Sequence, residues 1–200
     1  MIIANWAKQY FLTVTTDYGS ATGSGWYDEG SVAKVSINDE ILTQGLTRNV
    51  FLGWSEDYGN EKEISVTVDS PKLVHSIWKT QHYLTLITDY GSAIGSGWYD
   101  EGKRANFVVE STSVSVEGLL GILGVKQIYD GWIDEVTGES YKGTLIVSMP
   151  KTLTAQWKTD FTNLHISVGV IVAILLVISV FIRYRPKPHR KIDKELETIL

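Results

Sequence analysis

The stretch TDYGSATGSGWYDEG at residues 16–30 returns as TDYGSAIGSGWYDEG at residues 88–102, with fourteen of fifteen positions identical. The same offset of 72 residues relates QYFLT at 9–13 to QHYLT at 81–85. Self-similarity at a fixed period means one structural unit used twice. Further along, the offset grows to 78 at the Gly-Trp pair and 79 beyond it: FLGWSEDYG at 51–59 answers YDGWIDEVTG at 129–138, and VTVDSPKLVHSIWKT at 66–80 answers IVSMPKTLTAQWKT at 146–159. Seven extra residues therefore lie in the middle of copy two, where the run VEGLLGILGVKQ at 116–127 accommodates most of them.

Within the copies, FLTVTT (11–16), YLTLIT (83–88), SVAKVSI (31–37), ISVTVD (64–69) and LVHSIW (73–78) are short, rich in β-branched and aromatic residues, and largely alternating. That is the pattern of half-buried antiparallel strands. DYGSATGSG, YDEG, EDYGN and DSPK supply the glycine, Asn/Asp and proline that reversing backbones need. Between Val66 and Trp78, DSPK reads as the turn of a hairpin whose second strand ends the unit. A helical period is absent except around Leu119 to Val125, where glycines weaken a helix. The expected fold is mainly β: two tandem small antiparallel β modules, β-grasp-like or sandwich, followed by a single transmembrane α-helix. In modules this small a few large apolar residues must supply most of the core. Trp54, Trp78, Trp132 and Trp157 are the structural candidates, with Trp26 and Trp98 beside them.

Residues 164–182 read LHISVGVIVAILLVISVFI, nineteen positions without Asp, Glu, Lys or Arg. As a helix they would span roughly 28 Å, about the thickness of the hydrocarbon core. Arg183, Arg185, Lys187, Arg190 and Lys191 follow the run, whereas Asp160 to Asn163 precede it. The positive side stays in the cytoplasm, so the expected topology is a single-pass chain in the cell membrane with extracellular repeats and a cytoplasmic C-terminus. The expected organisation is a remnant or truncated start at 1–5, β repeat 1 at 6–77, β repeat 2 at 78–158 with an insertion near 116–127, the transmembrane helix at 164–182 and a basic tail at 183–200. Each unit ends on a tryptophan and a short polar link, Trp78-Lys79-Thr80-Gln81 and Trp157-Lys158-Thr159-Asp160. Asn5-Trp6-Ala7-Lys8-Gln9-Tyr10 resembles such an ending, from which a longer array upstream is expected.

The order strand, GSGWYDEG, strand, F-x-GW-S, then VTVDSPK-x-V-x-x-x-W resembles the divergent internalin-type B-repeat found in tandem on bacterial and archaeal surface proteins. The resemblance covers about residues 6–158. Copy two departs from it with Ile133 after its Gly-Trp pair and with the insertion. It implies spacer, stalk or adhesion modules, a β-grasp-like or sandwich topology, and no catalytic residues.

Charge narrows the function classes. Before Leu164 there are 12 Lys and Arg against 20 Asp and Glu, and after it 6 against 3. An acidic globular part argues against nucleic acid, whose phosphates need clustered cations. The absence of cysteine excludes disulfides, thiolate metal sites and thiol catalysis. No nucleophile elbow, zinc-protease or phosphate-loop motif is present, so neither an enzyme nor a cofactor is expected. The candidate ligand residues are Trp26, Tyr27, Trp98 and Tyr99, whose rings could stack on a sugar. Asp28, Glu29, Asp100 and Glu101 are the candidate metal carboxylates, although two per turn is few for calcium. Expected partners are the lipid bilayer and other surface proteins or surface polysaccharide. The expected function is a membrane-anchored stalk, spacer or adhesion module. The alternatives are the C-terminal anchor of a larger exported enzyme such as a protease, or a subunit partnering through the membrane helix or the insertion.

Overall fold

The computed structural model describes residues 2–55, 58–133 and 140–185. Copy one runs through β1 (Gln9–Thr15), β2 (Ala21–Thr22), β3 (Gly25–Asp28), β4 (Ser31–Ile37), β5 (Ile41–Gln44), β6 (Thr47–Trp54) and β7 (Glu63–Val68) into the long strand β8 (Lys72–Ile87). From the second half of β8, copy two continues through β9 (Ala93–Ile94), β10 (Gly97–Asp100), β11 (Lys103–Val109) and β12 (Ser113–Ser115) to a short helix, α1 (Gly118–Ile122). Then come β13 (Lys126–Ile133), β14 (Lys142–Val147), β15 (Lys151–Asp160) and the apolar helix α2 (Thr162–Arg183). The chain is mainly β, with a 22-residue helix at the C-terminal end. The described residues of 2–112 and 129–157 form one compact unit, and those of 113–128 and 158–185 form another.

In the first unit, two three-stranded sheets, β2-β4-β7 and β9-β11-β14, accompany one long sheet that includes β1, β3, β6, β8, β10 and β15. Alternation decides which side chains face inward. β4 buries Ala33, Val35 and Ile37, and β7 buries Ile64, Val66 and Val68. These meet Leu12, Phe51, Trp54 and Val74 from the long sheet in one apolar cluster. The corresponding cluster in copy two joins Ala105, Phe107, Val109 and Val147 to Leu84, Tyr129, Trp132, Leu153 and Ala155. Two sheets sharing a core make a sandwich, the second of the two topologies expected.

Two local expectations are corrected. DSPK does not close a hairpin: β7 pairs with β4, while β8 pairs with β1 and β6. The turn carries the chain from one layer of the sandwich to the other, because both strands have apolar faces to bury and each finds its partner elsewhere. The pairing is also not wholly antiparallel. β1 lies parallel to the start of β8 (Leu12↔Lys72 to Thr15↔His75), and the end of β8 lies parallel to β15 (Lys151↔Leu84 to Thr154↔Ile87). Parallel neighbours need a long crossover, which the intervening strands of each copy provide. The polar segments read as links, 78–81 and 157–160, are strand residues within β8 and β15.

Tyr129 is a titratable group in this core. The residue is 8% exposed and its hydroxyl donates to the Ser140 carbonyl at 3.1 Å. Burial pushes the phenol from 10.0 to about 12. The neutral form is favoured by folding, so its stabilisation is complete below the unfolded value and fades as pH rises through the folded one. Between pH 10 and about 12 the protein should lose about 2–3 kcal/mol of stability through this residue. Thermal unfolding across that window should show a shallower decline for Tyr129→Phe than for the parent.

The second unit begins with β12 paired to the first residues of β13, Ser113↔Ile128 to Ser115↔Lys126. α1 fills the connection between them. At the entrance to α2, Asp160 Oδ1 accepts the Thr162 amide at 2.9 Å, satisfying one of the free donors of a helix start. The hydrogen bonds from Thr162 hold the Asp160 carboxyl below its ordinary value. α2 is long and apolar enough to cross a membrane, and none of its residues is buried in protein.

Candidate functional site

β8 has 16 residues, about three times the common strand length, and its middle is where the two copies meet. Along 76–82 it pairs with β6 of copy one, and along 81–84 it pairs with β10 of copy two. Gln81 is therefore opposite Arg48 on one side and Asp100 on the other. Opposed residues of neighbouring strands point to the same face, and here they join. Arg48 Nε donates to Gln81 Oε1 at 2.7 Å. Gln81 Nε2 donates to Asp100 Oδ1 at 2.5 Å. Lys79 Nζ reaches the same carboxylate oxygen at 3.0 Å. The Arg48 guanidinium lies over the Trp98 ring, 4.5 Å from its centroid, and Trp98 meets Tyr83 edge-on at 5.2 Å. The hydrogen bond from Gln81, and after it that from Lys79, holds the Asp100 carboxyl below its usual value.

Adjacent rungs are joined in the same manner. Thr80 Oγ1 donates to Asn49 Oδ1 at 3.0 Å. His82, buried, shares a 3.0 Å hydrogen bond between Nδ1 and Thr47 Oγ1. Among the described residues its Nε2 makes no hydrogen bond, and Glu101 Oε1 is 3.9 Å away.

The equivalent face of copy one shows the same internal pairing without the arginine. Gln9 Nε2 donates to Asp28 Oδ1 at 2.9 Å, and Lys8 Nζ pairs with Glu29 Oε1 at 3.0 Å. Trp26 packs edge-on against Phe11 at 5.3 Å but remains 67% exposed. The candidate carboxylates Asp28, Glu29 and Asp100 are thus engaged with Lys and Gln donors. Among the described residues no group of three His, Cys, Asp or Glu is placed to hold a metal ion.

The candidate ligand residues separate in two. Tyr27 and Tyr99 each donate from the hydroxyl to the carbonyl of Gly23 or Gly95, both at 2.9 Å, which ties the phenols to the preceding turn. Trp26 and Trp98 belong to different copies, one open and one beneath Arg48. Of the core candidates, Trp54 and Trp132 are 3% and 7% exposed. Trp78 and Trp157 pack half-buried at the cluster edges and donate their indole N–H to Thr16 Oγ1 and Thr88 Oγ1 at 3.1 and 3.0 Å. Arg183 ends α2 and Arg185 lies just beyond it. Lys187, Arg190 and Lys191 lie outside the described residues.

Sequence reasoning missed Arg48, Lys79 and Gln81. One signal was available: Gln9 with Asp28 and Gln81 with Asp100 recur at the same offset without being apolar, as a structural polar pair would. No family model matches the chain, and no curated protein or solved structure is similar to it.

Removing Arg48 tests the joint. Arg48→Ala should cost about 1–3 kcal/mol, because it deletes a charged hydrogen bond and a cation–π interaction at once. Trp26→Ala, at the exposed equivalent of Trp98, should change stability by no more than about 1 kcal/mol. Tryptophan-monitored thermal unfolding of the full chain in detergent compares the two.

Proposed function

We propose that the chain is a membrane-anchored surface protein whose β modules act as a stiff stalk or spacer, held by α2 with the modules outside the cell. The observation that carries this reading is the shared strand. A flexible linker between domains lets them reorient, whereas β8 belongs to both copies, and rotating one against the other would break its ladder to β6 and β10. At about 3.3 Å per residue such a strand is about 50 Å long, a length suited to spacing. The resemblance to internalin-type B-repeats, the apolar helix and the basic residues after it support the same reading. Surface protein or polysaccharide is the partner class it implies.

The absence of cysteine makes the test direct. Spin labels at Ser65→Cys in β7 and Arg104→Cys in β11, both exposed, should give one narrow distance distribution in reconstituted membranes. A broad distribution would contradict a stiff stalk. Labelling of Ser65→Cys by a membrane-impermeant maleimide on intact cells should succeed without permeabilisation. Protection there would place the modules inside and overturn the orientation.

A further inference from the structure

Copy one joins β5 to β6 through Gly45 and Leu46, whereas at the corresponding place copy two carries ten residues, 116–125, between β12 and β13. This connection closes on itself: Val125 N donates to Leu120 O at 2.9 Å, Leu123 N to Leu119 O at 3.0 Å and Val116 N to Val125 O at 3.3 Å. From Gly118 to Val125 it contains no charged residue. Val125 is buried, but Leu119, Leu120 and Ile122 are 70%, 49% and 83% exposed. A surface loop that carries no charge after Glu117 and is tipped with three large apolar side chains asks for a cover.

The place of the loop says which cover. Ser167 Oγ donates to the Leu123 carbonyl at 3.3 Å. A Cβ on Gly124 would stand 2.6 Å from Asn163 Cβ, so the loop backbone lies against the first turn of α2. Ser167 is about 8 Å along the helix from Thr162, already within its apolar run. Whatever solvent surrounds the first two turns of α2 also surrounds α1.

We propose that the 116–125 loop is a second membrane contact, with Leu119, Leu120 and Ile122 immersed in the headgroup–acyl boundary of the leaflet where α2 enters. The inference rests on α2 spanning the bilayer. Amphipathic helices that lie at such a boundary bury their apolar side chains about 5–10 Å deep. The loop then acts as a foot beside the anchor, adding apolar surface to the hold of the chain on that leaflet.

The full chain, reconstituted in phosphatidylcholine vesicles, carries an environment-sensitive fluorophore at Ile122→Cys or, as reference, at Val172→Cys in mid-helix. Lipids bearing a spin-label quencher high or low on the acyl chain supply the depth scale. The Ile122 probe should emit as in an apolar medium and be quenched more by the shallow label, and the Val172 probe more by the deep one. Leu119→Asp with Leu120→Asp should reduce quenching at Ile122 severalfold and leave Val172 unchanged. If Val172 is quenched and Ile122 is not, the foot is overturned while the span stands. If Val172 is not quenched either, the span itself fails. An apolar emission at Ile122 that no lipid quencher touches, and that disappears as protein is diluted into more lipid, would assign the loop to a second copy of this chain instead.

Discussion

Alanine at Gly95 should be among the most damaging single changes in this protein, costing about 3 kcal/mol or more. Gly95 has φ +127°, and a Cβ there would lie 2.5 Å from the Asn106 carbonyl oxygen and 2.9 Å from Phe107 Cα. Both obstacles are backbone of β11, so no side chain can rotate away. Gly23 in copy one meets the same situation, with φ +116° and the Lys34 carbonyl oxygen at 2.6 Å, and Gly23→Ala should be equally costly. Gly102→Ala supplies the contrast. Its φ is +75°, with nothing within 4 Å of the added atom, so only the left-handed backbone is strained, at about 1–2 kcal/mol. Melting temperatures of the three variants in detergent should therefore fall in two groups, separated by roughly 3–8 °C. A Gly95→Ala protein as stable as Gly102→Ala would mean that the glycine-rich turn does not cross β11 at this distance.

The second large effect is a rescue. Val35 in β4 is directly opposite Ile64 in β7, and the equivalent pair in copy two is Phe107 opposite Gly143. A Cβ on Gly143 would stand 2.4 Å from the Phe107 ring, so the ring occupies the space that a side chain would fill in copy one. An open groove of about 490 Å³, lined by Ile94, Phe107, Lys142 and Gly143 among others, lies beside it. Gly143→Ile alone overfills the site and should cost about 1–3 kcal/mol. Phe107→Val alone leaves a void and should cost about as much. The double variant recreates the copy-one pair and should recover most of the loss, giving a coupling energy of about 2 kcal/mol in a double-mutant cycle. Strictly additive losses would show that the two copies do not solve this packing problem by exchanging volume across one rung.

Much of the architecture was written in local pattern. Alternation over 31–37 and 64–69 named the inward faces of β4 and β7, because a strand sends successive side chains to opposite sides whatever its neighbours are. The apolar run at 164–182 announced α2 for a similar reason: its length and uniformity do not depend on tertiary contacts. The change of offset from 72 to 79 located the extra residues of copy two, and α1 lies among them. Pairing was less legible. Nothing in DSPK distinguishes a hairpin turn from a crossing between layers, since either begins with the same reversal. Whether β7 returns beside itself or hands the chain to another sheet depends on which distant strand offers an open edge.

Taken alone, the amino-acid sequence determined that this protein is built twice from one β unit, where its strands alternate and where its apolar helix runs. Only the tertiary structure decided what each copy became. GSGWYDEG occurs at 23–30 and again at 95–102 without a single difference, yet Trp26 stands 67% exposed while Trp98 lies under the Arg48 guanidinium. The octapeptide sets the turn, the strand and the direction of the ring. What covers the ring belongs to a strand far earlier in the chain, and burial is a property of neighbours.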